Sequence, residues 1–180
     1  SEFLQWFHFR LQGGQGLQCK IRLLNAGKST YTEGWKDYQA CASYDGKDWF
    51  RVKTSYNGKE LAIDHQPDYD SVFYAYFAPY SFERHLELVN AAQLSSICNL
   101  HMLGPTVDGR DFNMLEVSAT SKPEKNIWII ARQHPGETMA EWYMEGLINS
   151  LLDSNNSVAR ALVKKARFFL VPSMNPDGAA

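Results

Sequence analysis

From residue 3 to residue 77 the hydrophobic positions recur with a period of two, the signature of half-buried strands. In FLQWFHFRL, Phe3, Gln5, Phe7, Phe9 and Leu11 alternate with Leu4, Trp6, His8 and Arg10. The GGQG turn that follows, and then the run QCKIRLLN, predict a first hairpin. YQACASYDGKDWFRV sets Asp45-Gly46 between two strand-like runs, and KTSYNGKELAI sets Asn57-Gly58, both dipeptides that accept the positive φ of tight hairpin turns. SVFYAYFAPY reads as a last strand. Short strands at roughly ten-residue spacing without a helical period argue for an antiparallel β-sandwich over residues 1–78. Its first strand begins at residue 3 with no lead-in, so the natural chain is expected to start earlier.

From Ala78 the period changes, which places the second domain at residues 79–180. PYSFERHLELVNAAQLSS puts Phe82, Leu86, Val89 and Leu94 near helical spacing after a Ser81 cap, with Glu83 in the first turn. ICNLHML, Asp108-Gly109 and NMLEVSA predict a hairpin, and KNIWIIAR is a short apolar run typical of a strand buried on both faces. TMAEWYMEGLINSLLD repeats Met139, Trp142, Tyr143, Gly146, Leu147 and Leu151 as a helical stripe. SVARALVKKA predicts another helix, and RFFLVPS a buried strand ending on Asn175-Pro176-Asp177-Gly178. Strands alternating with helices after an initial hairpin mean an α/β domain with a mixed, partly parallel sheet. So few strands would leave edges unpaired, and the domain reads as the first part of a larger one.

Composition narrows the functions. The chain has 180 residues, 44% of them hydrophobic, enough for a real core. With 18 basic and 20 acidic side chains, a net charge of −2 and no basic run, it lacks the electrostatic footprint of a nucleic-acid binder. No apolar run approaches the roughly 20 residues of a membrane span, and SEFLQWFHFR lacks the layout of a signal peptide. Cys19, Cys41 and Cys98 are odd in number, far apart and set among apolar neighbours, as suits buried thiols of a reducing compartment. The expected compartment is the cytoplasm; oligomeric state is not legible.

The candidate chemistry lies in ARQHPGETMAEWY. His134 and Glu137 stand three residues apart, just past the carboxyl end of the IWIIAR strand, where open α/β sheets gather ligands. Pro135 and Gly136 bend the loop so that an imidazole and a carboxylate approach one point, a donor pair suited to zinc. The same residues also read as a loop histidine and an acid complementing a helix dipole. A catalytic zinc needs a third protein ligand and an open position. Of His8, His65, His85 and His101, none sits past the end of a strand, so the third ligand is expected after Ala180; within the chain, His101 is the first candidate. Asp64, His65, Asp68 and Asp70 lack the spacing of a calcium loop and read as a solvated acidic loop.

HPGE between an apolar strand and a helix, NPDG after the next strand, and TVDGR in the opening hairpin together resemble the zinc metallocarboxypeptidases. The aromatic-rich sandwich before them resembles the cytosolic carboxypeptidase branch. The resemblance implies a fold of β-sandwich followed by a truncated α/β carboxypeptidase domain, Zn2+ as cofactor, and His134 and Glu137 as metal ligands, with Asn175 to Gly178 in a loop near the cleft. It implies hydrolysis of C-terminal amino acids, in several members glutamates, from a peptide or protein C-terminus. In the family the second zinc-binding histidine, the arginines that hold the substrate carboxylate and the general base all follow NPDG, so no catalytic group is expected within these residues. Two other readings stay open here: a zinc amidohydrolase deacylating N-acyl amino acids, with a similar His-x-x-Glu pair, and a non-catalytic binding module.

Overall fold

A computed structural model describes residues 3–180, which fall into two compact units divided between Pro79 and Tyr80. The first contains β1 (His8–Gln12), β2 (Cys19–Leu23), β3 (Cys41–Ser43), β4 (Phe50–Arg51), β5 (Lys53–Tyr56), β6 (Leu61–His65) and β7 (Ser71–Ala75). They form two antiparallel sheets, ordered β1-β7-β3-β4 and β2-β6-β5. Phe9, Leu11, Val72 and Tyr74 of the first sheet pack with Ile21, Leu23 and Ile63 of the second, so the unit is a sandwich with one apolar interior.

Both expected hairpin turns form. Gly46 and Gly58 take φ of 75° and 87°. Asp45 Oδ1 accepts from the amides of Lys47 and Asp48, and Asn57 Oδ1 from those of Lys59 and Glu60, as side chains in such turns do. The first hairpin is corrected. Phe9 lies opposite Tyr74 and Ile21 opposite Ile63, so β1 and β2 belong to different sheets and the GGQG turn carries the chain between them. Alternation identifies a strand but not its partner. The stretch between β2 and β3 also departs from strand: it holds 3-10 turns at Ala26–Lys28 and Thr32–Trp35, clamped by the buried Trp35 indole donating to Ala26 O at 3.0 Å and Ser29 Oγ at 2.8 Å. In the acidic loop, His65 Nδ1 turns to the Tyr74 hydroxyl at 2.9 Å.

The second unit contains α1 (Phe82–Ala92), β8 (Cys98–Pro105), β9 (Asp111–Val117), β10 (Lys125–Ile130), α2 (Thr138–Leu152), α3 (Ser157–Val163), β11 (Ala166–Val171) and a terminal turn, α4 (Pro176–Ala179). The sheet order is β10-β11-β9-β8, with β10 and β11 parallel and the other pairs antiparallel. One face, carrying Leu115, Val117, Phe168 and Leu170, packs on Leu88, Val89, Met144, Ile148, Leu151 and Val163 of the helices. Ser81 caps α1, its hydroxyl accepting from the Arg84 amide at 3.2 Å, and Asn156 caps α3.

Three details differ from the pattern read along the sequence. β10 is not buried on both faces among the described residues: Ile127 and Ile129 meet the core, while Trp128 is 59% and Ile130 57% exposed, because the core cluster draws on one sheet face. In α1 the inner face is His85, Leu88, Val89 and Ala92, and Leu94 lies past the helix in solvent. In α2 the inner face is Thr138, Glu141, Met144, Ile148 and Leu151, whereas Met139 and Tyr143 are exposed; a buried glutamate occupies a place that periodicity assigns to an apolar side chain. Cys41 and Cys98 are buried and Cys19 partly so, all as free thiols. No helix among the described residues is long and apolar enough to cross a membrane.

Candidate metal centre

β10 and β11 run parallel in register from Lys125 opposite Ala166 to Ile130 opposite Val171, so their carboxyl ends coincide. The pairing continues past both ends: Ala131 N donates to Val171 O at 3.0 Å and Met174 N to Ala131 O at 2.8 Å. The loops that follow, 131–137 and 172–178, therefore leave the sheet side by side.

HPGE is a closed turn. Glu137 N donates to His134 O at 3.0 Å, with Pro135 supplying the preset φ that favours the second turn position. The turn brings His134 Nδ1 to 3.2 Å from Glu137 Oε1, with side chains 70% and 54% exposed. Glu137 is the first flanking residue of α2 but makes no side-chain cap bond, and its carboxylate turns to the imidazole instead.

The NPDG loop supports this turn from the other strand. Asn175 Oδ1 accepts from Gly178 N at 3.0 Å. Asp177 accepts from Thr106 Oγ1 at 2.6 Å, Asp108 N at 3.2 Å and Arg110 Nη1 at 3.1 Å, so TVDGR at the tip of the β8–β9 hairpin clasps NPDG. The Thr106 hydroxyl first, then the Asp108 amide and the Arg110 guanidinium, hold the Asp177 carboxyl below its ordinary range. Gly178 packs directly on Pro135: a Cβ at this glycine would collide with the proline ring and stand 2.9 Å from Asn175 Nδ2.

Beneath the turn lies a buried polar layer. Arg132, 5% exposed, takes a φ of 45°, a left-handed conformation rare outside glycine and asparagine. Its guanidinium donates to Pro135 O at 3.2 Å, Tyr80 O at 2.8 Å and Glu141 Oε2 at 2.5 Å. The other Glu141 oxygen meets His85 Nδ1 at 2.9 Å. Further along α2, Arg84 pairs with Glu145 through two bonds of 2.7 and 2.8 Å and lies 4.0 Å above the Trp142 ring, while the Tyr80 hydroxyl donates to Glu145 at 2.7 Å. Sequence reading missed Arg132, Glu141 and the Asp177 clasp. Glu141 was findable: it falls three residues before Met144 and seven before Ile148, on the apolar stripe.

The donor set fits zinc in part. An imidazole nitrogen and a carboxylate oxygen converging in reach of solvent are the ligand types that zinc takes. Among the described residues, no group of three His, Cys, Asp or Glu is placed to hold a metal. His101, the candidate third ligand, instead sits on β8 with its Nε2 3.0 Å from Glu116 Oε2, and Glu116 also pairs with Arg167. Its cross-strand neighbour is Met114, and the strand register holds it to that carboxylate.

Residues 1–77 match the cytosolic carboxypeptidase N-terminal domain, and residues 83–180 match the zinc carboxypeptidase family. A cytosolic carboxypeptidase 2 of Danio rerio is 26% identical over 213 residues, covering 99% of this chain and 29% of that protein. A putative carboxypeptidase of Burkholderia mallei superposes with a TM-score of 0.93 at 50% identity, covering 99% of this chain and 47% of that one. A metallo-carboxypeptidase of Pseudomonas aeruginosa, solved in complex with (2-guanidinoethylmercapto)succinic acid, superposes with a TM-score of 0.90 at 44% identity over 99% of this chain and 48% of its own. The chain thus spans about half the length of these bacterial structures. With both units matched in order and the second matched from α1 to its last residue, the chain belongs to the zinc carboxypeptidase family, in its cytosolic carboxypeptidase branch.

Proposed function

We propose that the protein is a zinc-dependent carboxypeptidase that releases amino acids from the C-termini of peptides or proteins, with His134 and Glu137 as two of its metal ligands. The observation that carries this reading is the convergence of His134 Nδ1 and Glu137 Oε1 at 3.2 Å on the carboxyl ends of two parallel strands. The match of residues 83–180 to zinc carboxypeptidases supports a peptidase over an acyl-amino-acid amidohydrolase or a binding module.

The chemistry that zinc supplies when bound is Lewis acidity toward the scissile carbonyl and a lowered pKa for water. The chain's own residues supply position. The HPGE turn aims the two donors, the NPDG loop braces the turn through Gly178 on Pro135, and the TVDGR hairpin fixes NPDG through Asp177. The reading assigns the third ligand, the general base and the groups that hold the substrate carboxylate to parts of the protein outside these residues, since the bacterial relatives are about twice as long. Membership of the cytosolic branch makes peptides ending in glutamate the first substrates to assay.

The test is release of C-terminal amino acids by the full-length protein from peptides ending in acidic, aromatic or basic residues, with and without a chelator. Activity should be abolished by chelation, restored by zinc, and reduced in His134→Ala by more than the about 100-fold that changes outside the ligand shell cost. Chelator-insensitive release, or full activity in His134→Ala, would refute the reading.

A further inference from the structure

We propose that Arg132 is a positioning residue for the metal loop: anchored by Glu141, its guanidinium holds the Pro135 carbonyl and so sets the direction in which His134 and Glu137 face. The inference rests on the reading of those two residues as zinc ligands.

Arg132 leaves the end of β10 in a left-handed conformation, φ 45°, which turns its side chain under the loop that its own backbone begins. There the planar fork reaches three acceptors in different directions: Pro135 O from Nε, and Tyr80 O and Glu141 Oε2 from Nη1. Pro135 lies between the two proposed ligands in sequence, so a bond to its carbonyl acts on both. The anchor is rigid because Glu141 is wholly buried on α2 and holds His85 of α1 with its second oxygen.

Stability alone does not account for this arrangement. Buried ion pairs commonly contribute no more than apolar side chains of similar volume would. Here Glu141 shares a buried helix face with Thr138, Met144, Ile148 and Leu151. Among the described residues, the layer also leaves His85 Nε2 and Thr138 Oγ1 buried without a hydrogen-bond partner, a cost that a core built only for packing avoids. What the apolar alternative cannot supply is the donor to Pro135 O. Groups outside the ligand shell that orient ligands are worth about 10- to 100-fold in metal affinity.

Two variants of the full-length protein separate positioning from folding. Arg132→Lys keeps the charge opposite Glu141 but loses the fork, and the double change Arg132→Met with Glu141→Met replaces the pair by apolar bulk. Zinc affinity is read by competition with a chromogenic chelator, the fold by circular dichroism, and the site geometry by the visible spectrum of the cobalt-substituted protein. Both variants should fold, bind zinc about 10- to 100-fold more weakly and show an altered cobalt spectrum. Affinity within twofold of the parent in a folded variant would overturn the proposal, as would failure of both to fold, which would make the layer a stability element only. His134→Ala serves as the control. If it retains zinc affinity, the ligand assignment itself fails; if it loses affinity while the Arg132 variants do not, only the present inference fails.

Discussion

At the scale of single residues, the two glycines near the site have opposite roles despite their similar setting. Gly136 lies in the HPGE turn, yet a Cβ there meets nothing within 4 Å and its φ is not in the left-handed range. Gly178 lies in the opposite loop, and a Cβ there runs into the ring of Pro135, which cannot swing away as a flexible side chain could. Gly178→Ala should therefore destabilise the protein by about 1 to 3 kcal/mol, as overpacking does. Gly136→Ala should stay within about 0.5 kcal/mol of the parent, as open surface positions do. Urea unfolding of both variants checks this, and equal effects would show that the two loops do not pack as described. The sequence made His134 and Glu137 visible because their spacing and their place after a strand are local features. Arg132 was not visible: its burial and its positive φ follow from a tertiary acceptor set, Tyr80 O, Pro135 O and Glu141, which no local pattern encodes.

At the scale of elements, legibility followed the range of the forces involved. The Asp45-Gly46 and Asn57-Gly58 hairpins, the Ser81 cap and the β8–β9 hairpin are set by side chains within a few residues of the turn. The pairing of β1 with β7, from His8 opposite Ala75 to Gln12 opposite Ser71, joins residues far apart in the chain, and the alternating pattern of β1 suits many partners equally. The faces of α1 and α2 were misplaced because polar groups face inward. Glu141 is paired through one oxygen with His85 Nδ1 and through the other with Arg132, and so can occupy the stripe that apolar residues normally fill. The contact between these helices carries a pH dependence of its own. The Arg84 hydrogen bonds, and then that of Tyr80, hold the Glu145 carboxyl below the usual glutamate value of 4.5. As pH falls the unfolded state takes up this proton first. The stabilisation is therefore complete above about pH 4.5 and is lost as the pH drops through the depressed folded value. The parent should be the more stable of the pair at about pH 7, and the gap in urea midpoint between it and Glu145→Gln should narrow as the pH is lowered below about 4.5. A constant gap between the two would contradict the role given to this carboxylate.

At the scale of the whole molecule, the described residues amount to a sandwich and a mixed sheet that presents two donors at its carboxyl edge. The fold class was legible because strand and helix periods separate cleanly along the chain. The candidate pair was legible because its spacing is local; among the described residues no third His, Cys, Asp or Glu is placed beside it to complete a metal-holding group. Trp128 and Phe169, stacked at 4.5 Å on the sheet face away from the helices, mark how much of this sheet is apolar without belonging to the core cluster. Whether HPGE aims a metal pair is read by calorimetric titration of zinc into the metal-free, full-length protein beside His134→Ala and Glu137→Gln. One tight equivalent is expected in the parent, weakening at acid pH as the ligands take up protons, and lost in both variants with the fold intact. One tight equivalent retained by either variant would contradict it.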